Sequence, residues 1–586
     1  MQWDLSRLYA GFDDQKFADD FDRSEGAVKD ILAVFHNADG SDAIQVLCDV
    51  IGKVQSFEMD FIRVSNFIYL TLSVDAENAD ALKQFDRMQR VSMVFEQAMS
   101  AWARYVGQID DLPGIIAGNP MLLEHDDLLA RLQEQAKHTI DPALEETVLT
   151  MQLSGGRAWE KLSELLQSTH MVKCFLDEEE QTLTLSQVRN MAYDPSPDVR
   201  RSAYESEIAG YASIEKPMAA CLSGIKGEAL TLAPLKHFDD VLDESLMASR
   251  MGKDVLDVMI AAMEESLPVF RRYLKAKARA LGQTGGLNFY DLFAPLGENS
   301  KRYTLDEAKD LLCEALGAFS PNMHALIERA FDEHWIDALP REGKQGGAFC
   351  ASAYPVGISY VLSNFDGSLN AVSTLAHELG HAYHNEQLYK NPILLSDAPM
   401  TLAETASIFN ETLLTQTLID RTDERGKLAL LDQELIEATQ TIVDILSRFY
   451  FERSVFSARK DQALTEHDFK AQMLDAQKKT YGDGLNPDCM HPYMWACKGH
   501  YYSADLHYYN FPYAFGLLFG KGIFEAFKGM GSDAVEVYEQ LLQETGKCDA
   551  VTAAKSVGID IEDIGFWRRS LAAVEVAVGQ FEALIK

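Results

Sequence analysis

Leu375-Ala376-His377-Glu378-Leu379-Gly380-His381-Ala382-Tyr383-His384 is the stretch on which the reading of this 586-residue chain turns. It contains H-E-x-x-H. Residues four apart lie on one face of an α-helix, so His377 and His381 can turn ring nitrogens toward a common point. Glu378, one position round from His377, can reach a water at that point without occupying a coordination position. Two neutral imidazoles suit Zn²⁺, and a metal-bound water beside a carboxylate is a hydrolytic site. The spacing predicts a helix that starts after the Asp366-Gly367 turn, capped by Ser368 or Asn370, with Val372, Leu375, Ala376 and Leu379 as its apolar face. Gly380 costs about 1 kcal/mol against alanine inside a helix, which makes sense if another element packs closely on the backbone there.

Chance alone would put H-E-x-x-H in about one chain in forty with 14 histidines in 586 residues, so the reading needs a third ligand. The longer motif with a glycine seven and a histidine ten residues after the first histidine fails, because those positions are His384 and Gln387. His384 lies about 10 Å along the helix axis from His377, too far to share its ion, and reads as a supporting or packing residue. A glutamate from a second helix remains. Ala398 to Glu411 reads as that helix, with Pro399 near its start and Glu404, Ser407 and Glu411 on one polar stripe. Such a stripe is either a solvated face or a ligand with its support. Glu404 is the candidate ligand, and Glu411 a candidate acceptor for a ligand histidine.

These segments carry a resemblance. H377-E-L-G-H-A-Y-H, A403-E-T-A-S-I-F-N-E, G347-A-F-C-A-S-A-Y, Y290-D-L-F-A-P-L-G and W3-D-L-S-R-L-Y together resemble oligoendopeptidase F, within the thimet-oligopeptidase-like zinc metallopeptidases. The likeness runs from residue 3 to beyond residue 510. It implies one Zn²⁺ held by His377, His381 and Glu404, with Glu378 as general base. It also implies a mainly α, zincin-like fold: an N-terminal helical lobe over 1–190, a catalytic domain over 191–586, and a deep channel for short unstructured peptides. Relatives carry a His/Tyr-rich loop whose histidine and downstream tyrosine act on the transition state. By position these are His500 and Tyr513, although the tyrosine spacing leaves Tyr509 or His507 able to replace either.

The rest of the chain agrees with that class. Helical periodicity runs over Val28–Phe35, Ala43–Ile51, Asp60–Ser73, Asn78–Val106 and Leu122–Lys137, then over Lys253–Leu281, Lys427–Arg459 and Glu466–Thr480. Gly346–Cys350 and Ile358–Phe365 read as short strands directly before the motif helix. An edge strand there could pair with extended substrate, the alternative being a small structural sheet with covered edges. A net charge of −37 argues against nucleic acid and anionic membrane as partners. Eight scattered cysteines without C-x-x-C read as reduced, mostly buried thiols. With no basic-then-apolar start and no spanning stretch, the expected location is cytoplasmic.

The expected function is therefore a zinc-dependent oligoendopeptidase acting on oligopeptides. The alternatives are a metallo-exopeptidase on the same fold, which would need a residue that captures a free terminus, and a non-catalytic helical binding protein, which would not need Glu378. The sequence leaves the oligomeric state open.

Overall fold

The computed structural model describes residues 1–36, 42–176, 179–297, 301–531 and 533–585. Among the described residues helices dominate, with two small sheets. Strands β1 (Met171–Leu176) and β2 (Glu179–Thr184) form an antiparallel hairpin. The second sheet has β3 (Ile336–Asp337), β4 (Phe349–Ala353) and β5 (Ile358–Leu362) in the order β3-β5-β4, with β3 parallel and β4 antiparallel to the central β5. Among the described residues no helix is long and apolar enough to cross a membrane.

The chain divides into two compact units, each discontinuous in sequence. One is Met1–His138, Ser300–Thr417 and Ala526–Ile559; the other is Thr139–Asn299, Leu418–Glu525 and Asp560–Lys586. This division by compactness is not the consecutive one read from sequence, 1–190 and 191–586. The opening residues show why. Trp3 packs edge-on to Tyr360 of β5 at 6.0 Å and against Phe349 of β4 at 6.4 Å. The Asp4 amide donates to the His334 carbonyl at 2.8 Å, and the Tyr360 hydroxyl donates to the Asp4 carbonyl at 3.0 Å. The N-terminal segment thus shares its core with the sheet some 350 residues later.

That sheet seats the motif helix. All five residues of β5 are buried, as expected of a central strand covered on both faces. After β5 the chain turns at Gly367, whose φ of +82° lies in the left-handed region open to glycine. Ser368 then caps the helix Leu369–Leu388 by accepting from the Ala371 amide at 3.1 Å. Asn385 of this helix donates to Ser359 of β5 at 3.0 Å, tying helix to sheet.

Three elements differ from the sequence reading. The strand before the motif runs over 349–353 rather than 346–350, because Gly347 sits at φ +82° outside the pleat. The Ala398–Glu411 helix is two pieces, Met400–Ala403 and Thr405–Ile419, with Glu404 at the break. The Lys427–Arg459 helix is Glu424–Ala438 and Ile445–Arg459 joined by a π-turn over Thr439–Asp444. Single π-turns inside helices often mark functional sites. Pro268 sits within a helix that runs unbroken from Lys253 to Ala280. The eight cysteines are free thiols, four of them buried.

The second unit is built around long helices with ionic clusters inside. Pro197–Leu235 meets Ile445–Arg459 through the buried pair Lys226–Glu452, at 2.6 Å. Lys253–Ala280 packs on Ile564–Leu584, where the Tyr273 and Phe581 rings meet at 5.1 Å.

Candidate metal centre

His377 and His381 stand one turn apart on the capped helix, and their Nε2 atoms lie 3.2 Å from each other. Glu404 Oε2 is 3.3 Å from His377 Nε2 and 3.5 Å from His381 Nε2. Among the described residues this trio is the group of His, Cys, Asp and Glu side chains arranged to hold a metal. A tetrahedral zinc site with bonds of about 2.0–2.1 Å puts its ligand atoms about 3.3–3.4 Å apart. The donor set and its spacing therefore fit a zinc-sized ion.

Glu404 reaches this point because the second helix presses on the first. A Cβ at Gly380 would lie 2.6 Å from both the Ala406 carbonyl oxygen and Ser407 Cα, so only glycine lets the two backbones approach this closely. Asn410 donates to the Ala376 carbonyl at 3.2 Å, stitching the helices together. The helical break at Glu404 puts its side chain at the start of the longer piece, where the Ser407 hydroxyl donates to Oε2 at 2.7 Å. Asn410 was not singled out in the sequence, although a buried asparagine in an apolar helix is itself a signal of a packing partner.

Both imidazoles are oriented from behind. His377 Nδ1 donates to Glu411 Oε1 at 3.2 Å, leaving Nε2 as the lone-pair atom that faces the ion position. The His381 ring is hydrogen-bonded to the Ala403 carbonyl. Burial depresses the imidazoles, but at His377 the Glu404 and Glu411 carboxylates outweigh it and raise the group to about 11. His381, without a comparable excess of negative charge, falls to about 4. For Glu404 the cost of burial is outweighed by the histidines and Ser407, which bring it down to about 2.

Glu378 is 6% exposed, and no described residue donates a hydrogen bond to it. Burial raises its carboxyl to about 7, opposed by His377 and assisted by Glu404 and Glu411. A buried carboxylate with no protein donor is one poised to take a proton from something else. His384 faces away from this group: it is buried and bonded through Nε2 to Thr545 Oγ1 at 2.7 Å, a packing role as the spacing indicated.

The other sequence candidates belong to the second unit. His500 lies in the short helix Gly499–Tyr502, its ring stacked on Tyr509 at 5.8 Å, and its buried Nε2 has no hydrogen-bond partner among the described residues. Burial, and then Arg448, Lys498 and Lys226, lower His500 to about 3, so it is neutral at physiological pH. The Tyr509 and Tyr513 hydroxyls meet at 2.5 Å. His500, Tyr509 and Tyr513 therefore form one group. His507 stands apart from it: its Nδ1 accepts from the buried Lys226 ammonium at 3.2 Å.

The sequence model of Peptidase family M3 matches residues 190–573 of this chain. The chain belongs to Peptidase family M3. This M3 peptidase is 24% identical over 602 residues to the group B oligopeptidase PepB of Streptococcus agalactiae, covering 100% of this chain and 97% of that protein. The oligopeptidase PepF of Bacillus subtilis is 24% identical over 479 residues, 80% of this chain and 71% of that protein. The fold of this chain matches the crystal structure of oligoendopeptidase-F from Enterococcus faecium with a TM-score of 0.70 at 18% identity, over 97% of this chain and 99% of that one. The resemblance read from the motifs is thus borne out along the whole chain.

Proposed function

We propose that this oligoendopeptidase holds one zinc ion between His377, His381 and Glu404 and hydrolyses internal bonds of short, unstructured peptides. The observation that carries the reading is the 3.2–3.5 Å spacing of the three ligand atoms, on a helix where the donorless carboxylate of Glu378 follows the first ligand. His377, His381 and Glu404 would hold the zinc, which would supply Lewis-acid polarisation of the scissile carbonyl and would lower the pKa of a water from 15.7 to about 7. Glu378 accepts that water's proton as it attacks, then delivers the proton to the leaving amine. His500 and Tyr513, with Tyr509 beside Tyr513, donate to the carbonyl oxygen as charge builds on it, each donor being worth about 3 kcal/mol.

Substrate backbone adds to the edge of β4 in this reading. The C-terminal end of that edge is occupied: the Ser352 carbonyl accepts from Asn66 at 2.7 Å. Backbone groups two residues apart point the same way, which leaves the Cys350 amide and carbonyl to pair with the peptide. The start of the peptidase segment near residue 190 and a cytoplasmic location, where the free thiols stay reduced, belong to the same reading.

The test is an unbiased peptide library, with free and with blocked ends, given to the zinc-loaded protein. Internal cleavage of blocked peptides is the expected result. Cleavage confined to free-ended peptides would replace the endopeptidase by the exopeptidase reading.

Two further results are expected. Glu411→Gln removes the charged acceptor of His377 and should weaken zinc binding about 10–100-fold, read by competition with a fluorescent chelator. Because the ion needs the lone pair of His377 Nε2, whose proton the Glu404 and Glu411 carboxylates favour, binding should release protons at pH 7 and affinity should rise with pH. Calorimetry in two buffers of different ionisation enthalpy measures this directly.

A further inference from the structure

The turn that carries Tyr509 is held at both ends by buried charge. At its start, Lys226 donates to His507 Nδ1 at 3.2 Å and to Glu452 at 2.6 Å, and its ammonium lies over the Phe456 ring at 5.0 Å. Lys226 and Glu452 are 1% and 2% exposed. Ser245 Oγ donates to the His507 carbonyl at 2.6 Å, fixing the backbone as well as the ring. At the end of the turn, Arg448 Nη1 donates to Asn510 Oδ1 at 2.9 Å, while its Nε donates to Asp444 at 2.8 Å. Asp444 closes the π-turn Thr439–Asp444, so that irregular turn places the carboxylate that aims Arg448.

Between the two clamps the backbone is strained. Tyr508 has φ +52°, a left-handed conformation unfavourable for a bulky residue. Its ring is locked against Phe456 and Phe449, each at 5.5 Å. His507, Tyr508 and Asn510 are all buried, whereas Tyr509 is half-buried and Tyr513 is exposed. The Tyr513 amide donates to the Asn510 carbonyl at 3.2 Å, so the end of the turn also sets the helix that carries Tyr513. The charged anchors named above fall on His507 and Asn510, the residues that flank Tyr508 and Tyr509.

We propose that Lys226, with Glu452, and Arg448, through Asn510, are positioning residues that hold the Tyr509–Tyr513 hydroxyl pair by clamping the strained turn from both ends. This rests on the reading of that pair as donors to the developing oxyanion. A hydroxyl displaced by about 1 Å can lose about 10²-fold in rate, so the clamps should act on turnover rather than on substrate binding.

Replacing Lys226 alone would leave Glu452 buried without its counter-charge. The test therefore uses the pair Lys226→Met/Glu452→Met, and separately Asn510→Ala, in the full zinc-loaded chain with an internally quenched peptide. Each is expected to lower kcat about 30–100-fold with KM within about threefold and one metal per chain retained. Combined with Tyr509→Phe/Tyr513→Phe, each should add no more than about threefold, since residues acting through one group are not additive. A folded, metal-loaded pair variant with wild-type kcat would overturn the clamp while leaving the tyrosines' role intact, as would an undiminished loss in the double-Phe background. A double-Phe enzyme with wild-type kcat would instead remove the donor role, and the clamp with it.

Discussion

Glu378→Gln is expected to lower kcat by about 10³- to 10⁴-fold while leaving zinc content at one per chain, the upper range for removing a general base. The carboxylate sits on the helix next to a ligand but is not itself among the three ligand atoms, and no described residue donates to it. Its replacement by an isosteric amide should therefore neither perturb the ion site nor strip a structural hydrogen bond. Burial already penalises its charge, so the neutral amide costs the fold nothing and thermal stability should hold or rise slightly. Metal analysis, kcat and Tm measured on one preparation separate the alternatives. A variant that keeps its metal and most of its turnover would remove Glu378 from the chemistry. One that loses its metal would make Glu378 structural.

Gly380→Ala should destabilise the protein, against the usual sign of that substitution. An ordinary interior helix position gains about 1 kcal/mol from Gly to Ala. Here the added Cβ would meet the Ala406 carbonyl oxygen and Ser407 Cα at 2.6 Å, both of them backbone that cannot swing aside. Overpacking of this kind costs about 1–3 kcal/mol, and it pushes the helix starting at Thr405 away from His377 and His381. Glu404 moves with it. Zinc affinity and kcat/KM should fall together, by about 10²-fold for a displacement near 1 Å, and Gly380→Val should fall further. Chelator competition and thermal melts with and without zinc check both parts. A Gly380→Ala protein as stable and as tight for zinc as the wild type would mean that the two helices are not held in this contact.

The residues of the candidate site were legible because their chemistry is local. Two histidines at i and i+4 with a glutamate between them need only one helix to converge, and Ser368 and Gly367 announce where that helix starts. The close approach at Gly380 could likewise be anticipated, since an interior glycine carries a cost that something must repay. The Ala398–Glu411 stretch was read as a single helix, because periodicity does not register a break of one residue such as that at Glu404. For the same reason the π-turn at Thr439–Asp444 was invisible: it inserts a residue's worth of backbone without altering the apolar composition around it.

By position the sequence favoured His500 and Tyr513, but the tyrosine spacing left Tyr509 or His507 able to replace either. Tertiary contacts separate them: Lys226, some 280 residues earlier, takes up His507, while Tyr509 and Tyr513 meet through their hydroxyls. By itself, the sequence determined the helix and its facing pair of histidines with a glutamate between them, written within two turns of helix, and the family, written in motifs along the chain. Tertiary structure alone decided how Trp3 joins the sheet beside that helix, where Glu404 points, and which loop residues Lys226 and Arg448 hold. Those depend on contacts between residues tens to hundreds of positions apart, and local periodicity carries no record of them.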